Sequence, residues 1–426
     1  MKNIFWKNAL TALAALMLPA PAFAGLFQPQ HGYLTDPCSA AVSACDPIVS
    51  ACDPTCSPTP TCDAYAAAAC SSNTKSLWNY GGWIETGGYV NAYGQDNRYL
   101  PNGGGFDPAS GNGQILYNVD HNSYFQLNQA WAYLEKQLSG QGFDIGGRID
   151  LAYGTDARFL EMSGLELNSN GDHWGGSDYS LAVAQLYAEI GLDKLSLKVG
   201  KFLSPLGYES IQSPDRFFYS MSNVFAHPPT TLNGAVLSYQ VSDNFSVYNA
   251  WGNTSFFNDS RNNAYVGGFN WQIAPRLGLG YGVILGSNAH KNSNDPTTQY
   301  FIQSVVANLQ LTDRWNYVFE WTLENDKDGN HSGYYGINQE LFYKLNNHWN
   351  IGARYEWLHF YNSSRYANVI DTDSINSLTL GLNWKPTNYF TLKPEIRYDN
   401  AKDSTPFNDG LKGHQLSFGL SGVVVF

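Results

Sequence analysis

The chain has 426 residues, of which 15% are aromatic and only 14% charged, and its formal net charge is −12. Soluble proteins carry about 25% charged residues, and an acidic chain with no basic stripe is a poor partner for nucleic acid. Beyond the first residues no run approaches the roughly 20 apolar residues a membrane-spanning helix needs, so any bilayer crossing must be made by strands.

The chain opens as a secretory signal peptide, residues 1–24. Lys2 and Lys7 give a basic start, Ala9 to Leu18 an apolar run, and Ala22-Phe23-Ala24 an A-x-A cleavage site before Gly25. No Cys stands at that point, which argues against a lipid anchor. Removing these residues takes two lysines and no acids from the net charge of −12, leaving −14. Residues 25–82 hold all six cysteines, Cys38, Cys45, Cys52, Cys56, Cys62 and Cys70, among prolines at 37, 47, 54, 58 and 60 and two copies of SACDP. That composition describes an extended periplasmic segment, not a packed domain. Export permits disulfides and an even count suggests pairing, with the connectivity open. Neither the C-x-x-C-H of haem attachment nor the paired C-x2-C of zinc sites occurs, and no metal or cofactor is expected.

From residue 83 to 426 the chain reads as an all-β, transmembrane, antiparallel outer-membrane barrel of about 16 strands. The alternating segments lie near 83–93, 124–136, 143–155, 183–192, 195–203, 232–240, 245–253 and 264–273. They continue near 277–286, 300–311, 315–325, 334–345, 349–360, 374–384, 390–399 and 415–426. A spanning strand needs about 9–11 residues. Tight connections recur at Ser139 to Gly142, Asp193-Lys194, Ser242 to Asn244, Ala274 to Arg276, Thr312 to Arg314, Asn346 to His348 and Pro386 to Asn388. Gly, Asn, Asp and Pro supply the backbone angles hairpins require. Between them fall longer connections such as 94–122 and 156–180. Short turns on one side and long loops on the other are the habit of outer-membrane barrels, the short ones periplasmic. Sixteen strands enclose enough width for an aqueous channel.

The last strand shows the face chemistry most plainly. Leu416, Phe418, Leu420, Val424 and Phe426 share one parity, and Gln415, Ser417, Gly419 and Ser421 the other. Successive strand side chains point to opposite faces, so one face suits lipid and the other water, and Phe426 marks the barrel-closing terminus. The same parity assigns the charged residues. A Lys or Arg on the lipid face at mid-bilayer costs about 2–4 kcal/mol, so the polar sets should line the lumen. The acidic set is Glu85, Asp144, Asp150, Glu189, Glu320, Glu324, Glu340, Glu356, Glu395 and Asp399; the basic set is Arg148, Lys198, Lys344, Arg354, Lys393 and Arg397. The acidic excess predicts a weak cation preference by field. Arg354 with Glu356 and Glu395 with Arg397 stand two apart on one face, which cancels part of it.

The connection 204–231 contains Asp215, Arg216, Phe217, Phe218, Tyr219 and the pair Pro228-Pro229. Long loops of this composition are seldom idle. Two readings stand: an extracellular cap, or a constriction folded into the lumen with Asp215, Arg216 and Tyr219 as its candidate residues.

In this region the chain resembles a family. The runs VGKFLSPLGYES (199–210), SPDRFFYSMSNVFAHPPTTLNGAVLSY (213–239) and VSDNFSVYNAWGN (241–253) are similar to β-barrel porins of the OmpL-like type, also called beta-barrel porin-2. The resemblance implies an outer-membrane pore and carries over no catalytic residues and no substrate. The Cys-rich extension departs from that pattern.

The function expected is passive diffusion of small hydrophilic solutes or ions. A structural or adhesive barrel working through its surface loops is the alternative. An outer-membrane hydrolase is the lesser one, since no two of the nine histidines share a strand with a Ser and an acid at lumenal parity. Residues 25–82 are too few and too polar for a receptor's plug. The partners expected are outer-membrane lipid, the solutes themselves, the barrel-assembly machinery and, by analogy with other sixteen-strand porins, further copies of the chain. Non-reducing and reducing gels of the purified protein should differ in migration; identical migration with six labelled free thiols would remove the disulfide reading.

Overall fold

A computed structural model describes residues 77–94, 122–162, 164–167, 174–175, 179–226, 228–254, 263–288, 298–326, 333–362, 373–408 and 411–426. The expected signal peptide and all six cysteines lie outside the described residues.

Sixteen strands close into one barrel, every neighbouring pair antiparallel and β1 joined to β16. They are β1 Trp78–Asn91, β2 Phe125–Lys136, β3 Phe143–Gly154, β4 Ser180–Leu192, β5 Leu195–Leu203, β6 Thr231–Ser242, β7 Phe245–Thr254 and β8 Asn263–Ala274. The circuit continues with β9 Leu277–Asn288, β10 Thr298–Gln310, β11 Trp315–Asp326, β12 Gly333–Lys344, β13 Trp349–Tyr361, β14 Asp373–Thr387, β15 Phe390–Ala401 and β16 His414–Val425. All sixteen expected segments are strands. The ends differ where side-chain parity alone is a poor guide. β1 begins at Trp78, not Trp83, because Trp78 and Tyr80 continue the pairing with Lys136 and Leu134 of β2. β14 runs on through Pro386, which has no N–H to give a ladder, at a register shift between Trp384 and Thr387.

Two of the tight turns use the left-handed backbone angles that their Gly and Asp residues permit. Gly140 and Gly142 both have positive φ between β2 and β3, and Asp193 adopts φ 49° between β4 and β5. The Asp193 carboxylate also accepts from the Gly142 N–H at 2.6 Å, tying two turns together.

The faces separate as two solvents would demand. Ile84, Leu134, Ile149, Leu186, Leu237, Trp251, Leu378 and Phe418 are exposed on the outside, while Glu85, Asp150, Arg354, Ser377, Arg397 and Ser417 are buried within. A water-soluble protein would have this the other way round. In hydrocarbon the arrangement is stable because every strand passes its backbone hydrogen bonds to a neighbour and no edge is left.

The chain terminus makes that closure. The Gly82 N–H donates to the Phe426 carbonyl and the Phe426 N–H to the Gly82 carbonyl, both at 2.9 Å. The Phe426 ring lies so close over Gly82 that a Cβ there would meet it at 2.9 Å. Deleting Phe426 should remove both bonds, each worth about 1 kcal/mol, and lower the temperature at which the folded band on unboiled gels disappears. An unchanged transition would show that the terminus does not help seal the barrel.

Candidate functional site

The interior is filled chiefly by one connection lying on the wall, with a second folded beside it. After β5 the chain turns into the barrel over 204–226 and crosses it. Leu206 packs over Gly282 of β9, while Phe217 and Phe218 lie against Gly352 of β13, Gly381 of β14 and the Phe342 ring of β12. Tyr219 sits between Gly87 of β1 and Gly419 of β16. A Cβ at Gly87 would come within 2.6 Å of the Tyr219 ring, and one at Gly352 within 2.6 Å of Phe217. These lumenal glycines therefore form the floor on which the loop's aromatics rest. Ile211, Arg216, Phe218, Tyr219, Ser220, Met221 and Val224 are buried.

Wall charges hold the loop by its backbone. Lys393 Nζ donates to the carbonyls of Ser213 at 2.6 Å and Arg216 at 2.7 Å. Glu395 accepts from the N–H groups of Tyr219 at 2.8 Å and Ser220 at 3.0 Å. Arg354 donates to the Ser220 carbonyl at 2.9 Å, and Arg397 to the Met221 carbonyl and the Asn223 side chain, both at 3.1 Å. Glu356 accepts from the Asn223 N–H and pairs with Arg354 at 3.0 Å and Arg397 at 3.4 Å. Asp399 pairs with Arg397 at 2.8 Å. Within the loop, Glu209 takes the Ser222 N–H at 2.7 Å and reaches Arg354 at 3.3 Å. Buried charges persist only when paired and hydrogen-bonded, and buried peptide groups only when satisfied; here each set supplies most of the other's partners, with Arg354 Nε and Glu356 Oε1 meeting as an ion pair alone.

Arg216 forms the second anchor. Its guanidinium lies 2.6 Å from Glu85 and 3.5 Å from Asp156. Asp156 opens a 3-10 turn, Asp156–Phe159, in the connection after β3, which also folds inward. Burial and the Glu85 charge push the Asp156 carboxyl up to about 6, against the pull of Arg216. Gln129 links the two connections, donating to Asp156 and to the Ile211 carbonyl at 2.7 Å each and accepting from Trp83 Nε1 at 2.7 Å. Asn128 accepts from the Tyr219 hydroxyl at 3.1 Å. Lys201 of β5 meets Glu166 of the inward-folded connection at 2.5 Å.

Parity does not reveal several of these residues. A register shift between Glu85 and Thr86 turns both Asn128 and Gln129 inward, and beside Gly200, whose φ is +136°, Lys201 and Phe202 are buried in succession. Bulges of this kind re-aim side chains. Glu209 stands in the G-Y-E run that carries the family resemblance, and that run is the one sequence signal pointing to it.

The other residues singled out from sequence are placed as follows. Arg148 grips Asp150 with two bonds, at 2.6 and 2.9 Å, and Lys136 meets Asp144 at 2.9 Å. Glu320 accepts from the Ser304 hydroxyl and Glu340 from the Asn338 amide, each at 3.0 Å. Glu324 is buried on the same wall. Glu189 and Lys198 are half-buried at inward positions, and Lys344 is exposed at the short-turn end of β12. Asp215 joins Tyr208, Glu209, Glu340, Lys385 and Lys393 around a cavity against the loop.

An apolar outer wall, a charged inner wall and a connection docked across the lumen define a porin-type outer-membrane barrel. Solved structures of that class share the fold. The outer membrane channel DcaP of Acinetobacter baumannii superposes with a TM-score of 0.56 at 10% identity, covering 82% of this chain and 97% of that one. An anion-selective porin from Comamonas acidovorans gives 0.56 at 9% identity over 82% and 99%, and Salmonella typhi OmpF 0.55 at 10% over 82% and 97%. At such identities the likeness is one of fold. Comparison with curated proteins gives no match. The model of the OmpL-like beta-barrel porin-2 family matches residues 79–426, and the chain belongs to that family.

Arg216→Met should strip Glu85 and Asp156 of their buried counter-charge and destabilise the docked loop by about 3–5 kcal/mol at neutral pH. A carboxyl already raised to about 6 binds its proton more tightly folded than unfolded. Losing Arg216 raises that carboxyl further, so protonation relieves the variant already above that value, and the gap from wild type in thermal unfolding should be narrower at pH 5 than at pH 8. A gap independent of pH would show that the charge pairing is not what anchors the loop.

Proposed function

We propose that the protein is a passive pore of the outer membrane for small hydrophilic solutes or ions, weakly preferring cations. The observation that carries this reading is the docked connection 204–226: a barrel with an apolar exterior whose interior is narrowed by a loop fixed to its wall suits graded passage. The candidate residues Arg216 and Tyr219 belong to the anchoring side of that loop, and Asp215 to the cavity beside it.

The cation preference has a narrower basis than a count of wall charges. Arg354, Arg397 and Lys393 are engaged with the loop, and Glu85, Glu356, Glu395 and Asp399 with the same contacts. Among the described residues, Glu320 and Glu340 have no Lys, Arg or His nitrogen within 4.0 Å. Both are buried, away from a passing solute, so the negative surplus they add is small and the preference weak.

Single-channel recording of the reconstituted full chain in a KCl gradient tests both parts. The reversal potential should lie modestly on the cation side, and deletion of 210–225 should raise conductance severalfold. An anion-side reversal would discard the preference, and conductance unchanged by the deletion would discard the constriction. No current together with no liposome swelling would favour a structural or adhesive barrel.

A further inference from the structure

The lumen has two unlike arcs. β6 to β10, five consecutive strands, contain no Asp, Glu, Lys, Arg or His. Every ionisable wall residue named above stands on the other eleven strands, and the loop's backbone is docked on β13, β15 and β16 with their neighbours. In the half nearest the short turns, the uncharged arc presents half-buried Ser238 of β6, Ser246 of β7 and Asn308 of β10 to the interior.

Where the two arcs meet, β4 and β5 carry three half-buried inward side chains the loop does not use: Tyr187, Glu189 and Lys198. Lys198 Nζ lies 4.1 Å from the Tyr187 ring centre. Glu189 is its cross-strand partner in register, yet among the described residues no carboxylate comes within 4.0 Å of this ammonium and it makes no hydrogen bond. Arg148 on β3 differs: it faces Tyr187 across the strands but is held by Asp150. The Lys198 donors and Glu189 acceptors are thus open beside an aromatic ring.

We propose that Tyr187, Lys198 and Glu189 form a binding step for neutral polyhydroxylated solutes, of the mono- to oligosaccharide class. The inference rests on the pore reading and names its solute. A ring beside open donors and acceptors matches a molecule with an apolar C–H face and a rim of hydroxyls. Ser238, Ser246 and Asn308 continue hydroxyl and amide contacts along the adjoining wall. A solute with net charge would leave water there for five strands that offer no counter-charge, and unpaired charge in such a place is costly. A neutral polyol exchanges water's hydrogen bonds for the wall's.

The test is maltotriose added to planar bilayers holding the full-length protein in KCl. Wild type should show saturable reduction of the current, and Tyr187→Ala or Lys198→Met should raise the half-blocking concentration about tenfold while still conducting KCl. Tyr187→Phe keeps the ring and should keep most of the block. If Tyr187→Ala fails to assemble, Lys198→Met decides. Equal block in wild type and the variants, or block by lysine or glutamate and not by the sugar, would overturn the proposal with the pore reading intact. Absence of any KCl current would remove both.

Discussion

A peptide segment can lie inside a barrel only if something replaces the water on its N–H and C=O groups, and a charged wall can be covered only if something pairs its charges. Segment 213–223 and the wall of β13 to β16 solve both problems at once. Lys393, Arg354 and Arg397 take the carbonyls of Ser213, Arg216, Ser220 and Met221, while Glu395 and Glu356 take the N–H groups of Tyr219, Ser220 and Asn223. Remove either side and the other is left buried and unsatisfied, at a cost larger than any single bond is worth. Wall charges of this kind are structural, and their number is a poor measure of the field a solute meets.

The outer surface obeys the opposite constraint. Lipid offers no hydrogen bonds, so polar side chains are kept inward and the backbone ladder must be continuous. The reciprocal pair between Gly82 and Phe426 is where continuity is completed, and small residues permit the approach on both sides of the wall. Gly82 admits the Phe426 ring, and Gly87 and Gly419 admit Tyr219.

Inside, charge is confined to one arc, and that arc is where the loop's backbone is held. The consequence is a division of labour within a single lumen. One wall holds the loop's backbone, and the uncharged wall of β6 to β10, with Tyr187 and Lys198 at its margin, receives the loop's Leu206 in an apolar cluster and offers neutral hydrogen-bonding groups nearer the short turns. Under the proposals above, ions feel the few carboxylates the loop leaves unneutralised, and polyols feel the margin.

How many strands there are, which face of the charge-bearing strands is apolar and where the tight turns fall were legible in the chain. A period of two, read against two solvents, leaves little freedom, and Phe390 to Asp399 or Trp349 to Trp357 show it residue by residue. Alternation leaves both readings of 204–231 open; the fold lays Tyr219 against Gly87 and Arg216 beside Glu85, residues 131 apart in sequence. Asn128, Gln129 and Lys201 face inward only because the ladder shifts register or bends beside them, and Asp156, Glu166 and Glu209 matter only because two connections fold into the same space. Local alternation determines the wall because it is set by neighbouring residues. What fills the wall is decided by contacts between distant segments, whose hydrogen-bond and charge requirements become mutual only once the barrel has closed around them.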